Sequence, residues 1–462
     1  MKKIFIILIL LFSIITIYSK DSNIRFYGQY ESRFDFIHKT DYFNKEYQSF
    51  GWGWNNYANL RMKATINEYL TFDMAVNLNM LAGSYTDVYR SNFASMAQSI
   101  SDPSVYTFNS DYLFSIPFYY ESTYIGSFDM ERLYFKAGNN FFDIEAGLIR
   151  IARGFGYSFS PTDFFNPANP LNPDARPKGK LAILTTFYPL DMWKIEAFAV
   201  APDNPVTDKI WGFKFGTATK FSIDKFNFEF LYTLFFPEIE YLKDQEKLGE
   251  PSYKNNNYSH IIGFSMKADI EIGLFIDMTY RFDQMVFRNG NYYGKELYFY
   301  RGLESEIGID YTINIPATDA NIYLLLEYMF YGSGMLDWGE KDLDNIYTDE
   351  WKDKKPLERS AIIDSEKKPL NFLRHDYLSS MIKIKINTYI STGINYLFGI
   401  DDQSSLLTPF IEIEPFQAFT ISVKAFYPLG WEIINNQWYR GEFGPTNVGY
   451  YQNYNITVKI KF

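Results

Sequence analysis

A two-residue alternation of apolar and polar side chains runs along most of this 462-residue chain. In the segment 24–36 (IRFYGQYESRFDF), the even positions are apolar or small, and all odd positions except Tyr27 are polar or charged. Period two places successive side chains on opposite faces of a β-strand, whereas a helix would mix the two sets. The alternation recurs in many further segments, among them 70–78, 226–234, 272–281, 322–328 and 382–386. We count about 18 such segments of roughly 9–12 residues, the length that a tilted strand needs to cross a bilayer.

The connections between these segments alternate in length. Short links follow the even-numbered segments, near 67–68, 139–140, 189–191, 223–225, 269–271, 387–388 and 414–416. Long links follow most odd-numbered segments, at roughly 36–56, 81–129, 151–179, 237–257, 283–299, 331–375 and 428–447, while those near 202–208 and 401–404 are short. Tight turns that alternate with long loops are typical of transmembrane barrels with periplasmic turns and extracellular loops. The pattern predicts an all-β fold, an antiparallel up-and-down barrel of about 18 strands (roughly 16–18).

The composition fits a wall between lipid and water and excludes several classes of function. Aromatic residues make up 20% of the chain, with 44 Phe and 39 Tyr, yet the mean hydropathy is slightly polar. The absence of cysteine excludes disulfides and thiolate metal sites. The net charge of −11 argues against a nucleic-acid partner. We expect no cofactor and no metal ion, since the acidic link 331–375 lacks the glycine and the terminal glutamate of an EF-hand-type calcium loop.

The first residues have the pattern of a secretory signal peptide. Lys2 and Lys3 precede an apolar run from Ile4 to Ile17, and Ser19 is a small residue at the expected cleavage point. We therefore predict a cleaved segment 1–19 and a barrel over 20–462, exported across the inner membrane. After the leader we find no uncharged apolar run long enough to span a bilayer as a helix.

The last strand carries a further signature. In NITVKIKF (455–462), Ile456, Val458, Ile460 and Phe462 share one face. An amphipathic final strand that ends in Phe462 resembles the terminal signature of bacterial outer-membrane barrels. The resemblance implies a location in the outer membrane, contact with its lipid bilayer, and recognition of Phe462 by the barrel-assembly machinery. The alternative is a secreted soluble β-sandwich or propeller, which would have shorter strands and a second layer covering the apolar face.

The polar faces of the predicted strands carry a charge bias. Strands one to four contribute a mostly basic lumen wall, formed by Arg25, Arg33, Arg61, Lys63, Arg132 and Lys136. Strands eleven to thirteen contribute a mostly acidic wall, formed by Asp277, Glu304, Glu306, Asp310 and Glu327. Strands three and twelve lie opposite each other in an 18-strand ring, so the two walls predict a transverse electric field. Ordinary lumen polarity with chance clustering is the alternative, because Asp143 and Glu145 on strand five dilute the basic side.

The third extracellular link, 151–179, contains the proline-rich stretch SFSPTDFFNPANPLNP (158–173). It is similar to the third loop of general porins, which often folds into the lumen, and to a loop of porin-like barrels of unknown substrate. Prolines would stiffen it, and Phe159, Phe164 and Phe165 would anchor it to the inner wall. The candidate constriction residues are Arg150, Arg153, Asp163, Arg176, Lys178 and Lys180. A rigid lid outside the pore is the alternative.

These features predict a channel for passive diffusion of small hydrophilic solutes, either monomeric or trimeric. A surface adhesin or antigen without transport is a second interpretation, which the long loops permit. An outer-membrane lipase or protease is a weaker one, because the chain has only His38, His260 and His375 and none lies in a nucleophile motif. We expect that the protein is not an enzyme.

Overall fold

A computed structural model describes most of the chain. The described residues are 23–39, 49–83, 115–120, 124–166, 179–202, 212–236, 239–241, 251–253, 259–282, 302–332, 375–401, 403–430, 432–434, 437–439, 443 and 450–462. The predicted signal peptide 1–19 lies outside these ranges. Among the described residues, no helix has the length and apolar character needed to cross a membrane.

Eighteen antiparallel strands form the wall of the barrel within the described residues. They are β1 (Asn23–Lys39), β2 (Ser49–Thr65), β3 (Leu70–Gly83), β4 (Tyr124–Gly138), β5 (Phe142–Ile149), β6 (Lys180–Leu190), β7 (Trp193–Val200), β8 (Lys214–Ile223), β9 (Phe226–Phe235), β10 (Ser259–Ile270), β11 (Ile272–Arg281), β12 (Leu303–Asn314), β13 (Asn321–Tyr331), β14 (Asp376–Lys385), β15 (Ile390–Gly399), β16 (Ser405–Phe416), β17 (Phe419–Leu429) and β18 (Tyr450–Lys461). Two short hairpins, 239–241 with 251–253 and 432–434 with 437–439, lie outside the wall.

Each strand pairs with its neighbours in sequence, and the last strand closes the ring on the first. Strand β1 pairs with β18 from Gln29↔Lys461 to Lys39↔Tyr450. The seam ends in a reciprocal pair of hydrogen bonds: Gly28 N donates to Phe462 O at 2.7 Å, and Phe462 N donates to Gly28 O at 3.0 Å. Among the described strands of the ring, closure leaves neither a first nor a last strand without a partner on both sides. The predicted fold, a closed antiparallel barrel of about 18 strands, is confirmed.

The tight turns lie where the sequence predicts them, and three share one device. Asn67, Asn139 and Asn387 each accept the backbone N–H of the residue two ahead, at 2.9, 2.9 and 2.8 Å. This side-chain turn is a common role of asparagine. The first long link is shorter than predicted, 40–48 rather than 36–56, because β1 and β2 each extend to 17 residues.

Alternation sorts the side chains onto two faces. On β12, Ile307, Ile309 and Ile313 point outward and are exposed, while Glu304 and Glu306 point inward and are buried. The cross-strand register carries this parity around the ring, for example Asp277↔Glu306 on β11 and β12 and Gly308↔Glu327 on β12 and β13. The outside of the barrel is therefore mainly apolar, and most of the charged side chains of the strands point inward.

One strand is much shorter than its neighbour. Strand β4 has 15 residues, but β5 has only eight and ends at Ile149. Beyond that point the edge of β4 is completed by other parts of the chain: Gly179 N donates to Glu131 O at 3.0 Å, and the short strand Ser115–Tyr120 pairs farther along. The chain can thus leave the wall at residue 150 without leaving the edge of β4 unpaired.

Candidate functional site

Residues 151–166, the inner segment, follow directly on β5 and contact inward side chains of seven strands. The partners lie on β7, β9, β10, β11, β12, β13 and β14 and include Glu196, Glu229, Ser265, Asp277, Glu306, Glu327 and Ser379. All of them belong to the inward parity of their strands. The inner segment therefore runs across the inside of the barrel, along about half of its wall.

Successive backbone N–H groups of the inner segment donate to carboxylates of the wall. Phe155 N donates to Asp277 Oδ2 at 2.9 Å. Tyr157 N and Ser158 N donate to Glu327 Oε1 at 2.7 and 3.0 Å. Consecutive N–H groups that converge on an anion form an anion-binding concavity, and bonds to ionised acceptors are the stronger ones. Here the anions are side chains of the wall itself.

Two glycines allow this close approach. Gly154 adopts φ of 76°, the left-handed region that favours glycine, and its N–H donates to Glu229 Oε2 at 3.3 Å. A Cβ atom at Gly156 would overlap the Glu306 carboxylate and the Phe159 carbonyl oxygen. The backbone can thus approach the carboxylates this closely only with glycine at 154 and 156.

Arg153 forms a buried charge cluster beside this array. Its Nη1 contacts the Glu196 carboxylate and lies 3.4 Å from Glu229 Oε1. Lys220 Nζ lies 3.1 Å from Glu229 Oε2, and the Arg153 guanidinium stacks over Phe198 with its carbon 5.1 Å from the ring centroid. Loss of one partner from a buried ion cluster leaves an uncompensated charge, so this cluster fixes the inner segment against β7 and β9.

Apolar contacts hold the inner segment at two places, its middle and its C-terminal end. Phe164 and Phe165 are buried in a cluster with inward residues of β6 to β10, and their rings lie 5.9 Å from Phe235 and 5.5 Å from Phe198. Phe159 is buried in a second cluster on β13 to β16, 6.4 Å from the Tyr377 ring. All three phenylalanines expected to anchor the link are buried against the inner wall.

Asp163 closes the inner segment on itself. Its Oδ1 accepts Asn166 N at 2.9 Å and Phe165 N at 3.3 Å, and Asn166 Nδ2 donates to Ile151 O at 3.1 Å. These bonds bring the two ends of the segment together. Burial raises the pKa of the Asp163 carboxyl to about 6, although backbone N–H donors oppose the shift.

The residues of the predicted acidic wall lie at the inner segment. Asp277 and Glu327 accept its backbone N–H groups, Glu306 abuts Gly156, and Glu304 is buried on the same strand. Asp310 lies at the edge, where it accepts Tyr157 OH at 3.1 Å.

The residues of the predicted basic wall point inward on β1 to β4, and most are paired with acids. Arg61 binds Asp73 through two bonds of 3.1 and 2.9 Å. Lys136 Nζ lies 2.8 Å from Asp143 Oδ2 and 3.3 Å from Glu145 Oε1. Two further pairs are Arg33–Asp35 at 3.0 Å and Arg132–Glu131 at 3.4 Å, while Arg25 and Lys63 are exposed.

Sequence reasoning missed Glu131. A register shift in the pairing of β3 with β4 lies between Ala75 and Val76, and it brings Glu131 inward beside Arg132. Glu131 there accepts Asn59 Nδ2 at 3.0 Å. The available signal was a glutamate on the face that strict alternation assigns to apolar residues.

The candidate constriction residues occupy different environments. Arg150 is exposed where the chain leaves the wall, and Lys180 is half-buried at the start of β6. Arg153 and Asp163 are buried within the packing of the inner segment. Arg176 and Lys178 lie outside the described residues.

The three histidines take part in contacts at strand ends. Tyr232 OH and His260 Nδ1 are 2.8 Å apart, and the His38 ring stacks on Phe50 at 4.7 Å. His375 N donates to Asp401 Oδ2 at 2.8 Å. Within the described part of the chain, no group of three His, Asp or Glu side chains is placed to hold a metal ion.

Comparison with known proteins gives distant likenesses to solved barrels. No protein-family model and no curated protein sequence matches the chain. It is similar to OprB of Pseudomonas putida (TM-score 0.45, 9% identity, covering 97% of this chain and 96% of that one). It is also similar to OccAB4 of Acinetobacter baumannii (0.45, 10%, covering 95% and 98%). A third likeness is to Wzi of Escherichia coli, an outer-membrane protein described as a carbohydrate-binding β-barrel (0.47, 10%, covering 95% and 84%).

Two glycine-to-alanine variants test the packing of the inner segment. Gly156→Ala forces a methyl group into the Glu306 carboxylate, whereas Gly263→Ala, on β10 beneath the same segment, meets no atom closer than 3.2 Å. Overpacking typically costs about 1–3 kcal/mol. We expect hydrogen exchange at 154–158 to accelerate roughly 5- to 150-fold in Gly156→Ala and to change little in Gly263→Ala. Equal exchange in the two variants would contradict the contacts described above.

The Asp163 carboxyl predicts a pH dependence of the same packing. Because the folded protein holds this proton more tightly than the unfolded chain, the packed segment gains stability as the pH falls from 7 towards 4 and loses it as the pH rises through about 6. The shift corresponds to at most about 3 kcal/mol. Asp163→Asn keeps an acceptor oxygen and removes the titration. Opening free energies from hydrogen exchange should therefore depend more steeply on pH in the wild type than in Asp163→Asn, and parallel pH profiles would refute this role.

Proposed function

We propose that this protein is an outer-membrane channel through which small hydrophilic solutes diffuse passively, and that the inner segment narrows its water-filled lumen. The observation that carries the proposal is the set of bonds between the backbone at 154–158 and carboxylates on β9, β11 and β13. These bonds hold a stiff loop against the inner wall, where it reduces the cross-section available to a solute.

The location in a membrane rests on the outward face. Large apolar side chains such as Phe26, Phe230, Ile307 and Ile456 are exposed around the barrel. Exposed apolar surface on this scale is unfavourable in water, and a closed barrel satisfies every ladder hydrogen bond without water. The proposed leader 1–19 would take the chain across the inner membrane, and the strand ending in Phe462 would be recognised for assembly.

The passage rests on the strand number and the inward face. Barrels of 16–18 strands are too wide for side chains alone to fill. The inward face of β1 to β4 carries ion pairs and amides such as Asn59 and Asn79, which favour water over lipid. The inner segment makes polar contacts with β7 to β14, and its apolar clusters extend to β6 and β16. The space left on the opposite side, beside β17, β18 and β1 to β4, is the proposed route.

A pair of substitutions at two depths tests the membrane location. Ile309 and Ile313 lie on the same outward face of β12, 44% and 40% exposed, but Ile309 is near the middle of the strand and Ile313 near its end. An arginine facing lipid costs about 2–4 kcal/mol at mid-depth and about 0–1 near the interface. Ile309→Arg should lower the free energy of unfolding in lipid vesicles well below that of Ile313→Arg. Equal losses would argue against a bilayer around β12.

Deletion of part of the third link tests the narrowing. Removing residues 161–173 takes out Phe164 and Phe165 and should release the inner segment from its first apolar cluster. We expect a higher single-channel conductance in planar bilayers, with circular dichroism and heat-modifiable gel mobility showing that the barrel is folded. Unchanged conductance would make the link an external lid, and a folded wild type without conductance would favour the adhesin interpretation.

A further inference from the structure

The inner segment covers most of the acidic wall, together with Glu229 on β9. Glu229, Asp277, Glu306 and Glu327 are each at most 1% exposed. Three of them accept backbone N–H groups of the inner segment, and Glu229 also lies beside Arg153 and Lys220. Fixed N–H dipoles and cations compensate the charge of Glu229, Asp277 and Glu327, so a solute in the remaining lumen meets little of it.

The opposite side of the lumen carries ion pairs whose cations are more exposed than their acids. In its ion pairs the cation extends farther into the lumen than its acid: Arg33 is 28% exposed against 1% for Asp35, Arg61 24% against 4% for Asp73, and Lys136 37% against 15% for Asp143. The same order holds for Arg132 over Glu131 on this side and for Lys383 over Glu412 on β14 and β16. It also holds for Lys194 over Glu196 and Lys220 over Glu229 on the covered side. Among the described ion pairs, the reverse order occurs in the buried Arg153–Glu196 contact and in Lys267–Asp269 beside a turn.

Further cations add to this side. Arg25 and Lys63 are exposed on β1 and β2, and Arg150 is exposed where the chain leaves β5. Burial and the neighbouring Arg132 lower the pKa of Arg150, and the nearby Asp163 and Glu131 carboxylates oppose the shift. An exposed guanidinium group such as that of Arg150 can bind a carboxylate or phosphate through two parallel N–H bonds.

We infer that the accessible lumen selects small anions that carry a carboxylate or phosphate group, because the inner segment masks the acidic wall and leaves the cation-lined wall in contact with solute. This inference rests on the proposed channel function and names its substrate class. A lumen with acids and bases on opposite walls would orient solutes. A lumen whose acidic wall is masked instead presents mainly cations, which raise the local concentration of anions.

The experiment is a reversal-potential measurement with the full chain in planar bilayers across a tenfold KCl gradient, repeated with potassium phosphate. We expect chloride and phosphate to be more permeant than potassium. The double variant Lys63→Glu with Arg150→Glu should lower the chloride-to-potassium permeability ratio by about twofold or more.

A matched pair of glutamine substitutions separates masked from accessible acids. Glu306→Gln changes a carboxylate that abuts Gly156, and Glu412→Gln changes one that is 28% exposed on β16. Glu412→Gln should raise the anion preference more than Glu306→Gln does. Deletion of 161–173 should uncover the acidic wall and shift the reversal potential towards potassium.

The outcomes distinguish the two proposals. Conductance with potassium preferred, or a larger shift for Glu306→Gln than for Glu412→Gln, overturns the anion inference and leaves the channel standing. A folded barrel without conductance overturns the channel itself, and the anion inference falls with it. Anion preference that is lost on deletion of 161–173 supports both.

Discussion

The structure depends on closure of the hydrogen-bonded ring between β1 and β18. Once Gln29 pairs with Lys461 and Gly28 with Phe462, the register of every strand is set by its two neighbours. A slip of one residue would turn a whole strand's apolar set into the lumen and its polar set outward. Closure therefore brings the alternating side chains of all strands onto two common faces, a mainly apolar outer face and a mainly polar inner face. Closure also leaves a space inside the barrel, because 18 strands enclose more volume than inward side chains can fill.

The inner segment fills part of this space, and the short strand β5 lets the chain leave the wall to enter it. Strand β5 ends after eight residues, and Gly179 and the strand Ser115–Tyr120 complete the edge of β4 beyond it. The segment then replaces water around buried carboxylates with backbone N–H donors. Without these donors the buried carboxylates of Asp277 and Glu327 would lose their N–H partners, which is unfavourable, so this part of the wall requires the segment. Glycine at 154 and 156 is the local requirement, since a Cβ atom would overlap the Asp277 carboxylate at 154 and the Glu306 carboxylate at 156.

Alternation and turn spacing predicted the strand number, the parity of the faces and the position of the third link, because these depend on local pattern and on closure. Three features required the structure. Glu131 enters the lumen through a register shift that alternation does not encode. The first link is short because β1 and β2 extend beyond the predicted strand length. The carboxylates of Asp277 and Glu327 bind backbone N–H groups more than 100 residues away in sequence. The sequence could not predict this, because a polar inward face is compatible with contact to water as well as with contact to a folded loop.

The distribution of charge follows from the same packing. Counting residues suggests an acidic protein with a net charge of −11 and a lumen divided between acids and bases. The charges that remain exposed differ from this count, because a backbone N–H array can compensate a buried carboxylate but cannot compensate a lysine or arginine. A loop that folds against the wall through its N–H groups thus removes acids from the lumen and leaves bases in it. Arg153 is the exception, since the loop carries that cation into the acidic region, where Glu196 and Glu229 bind it. In the proposed channel, the sign of the charge that a solute meets therefore depends on which wall the inner segment covers.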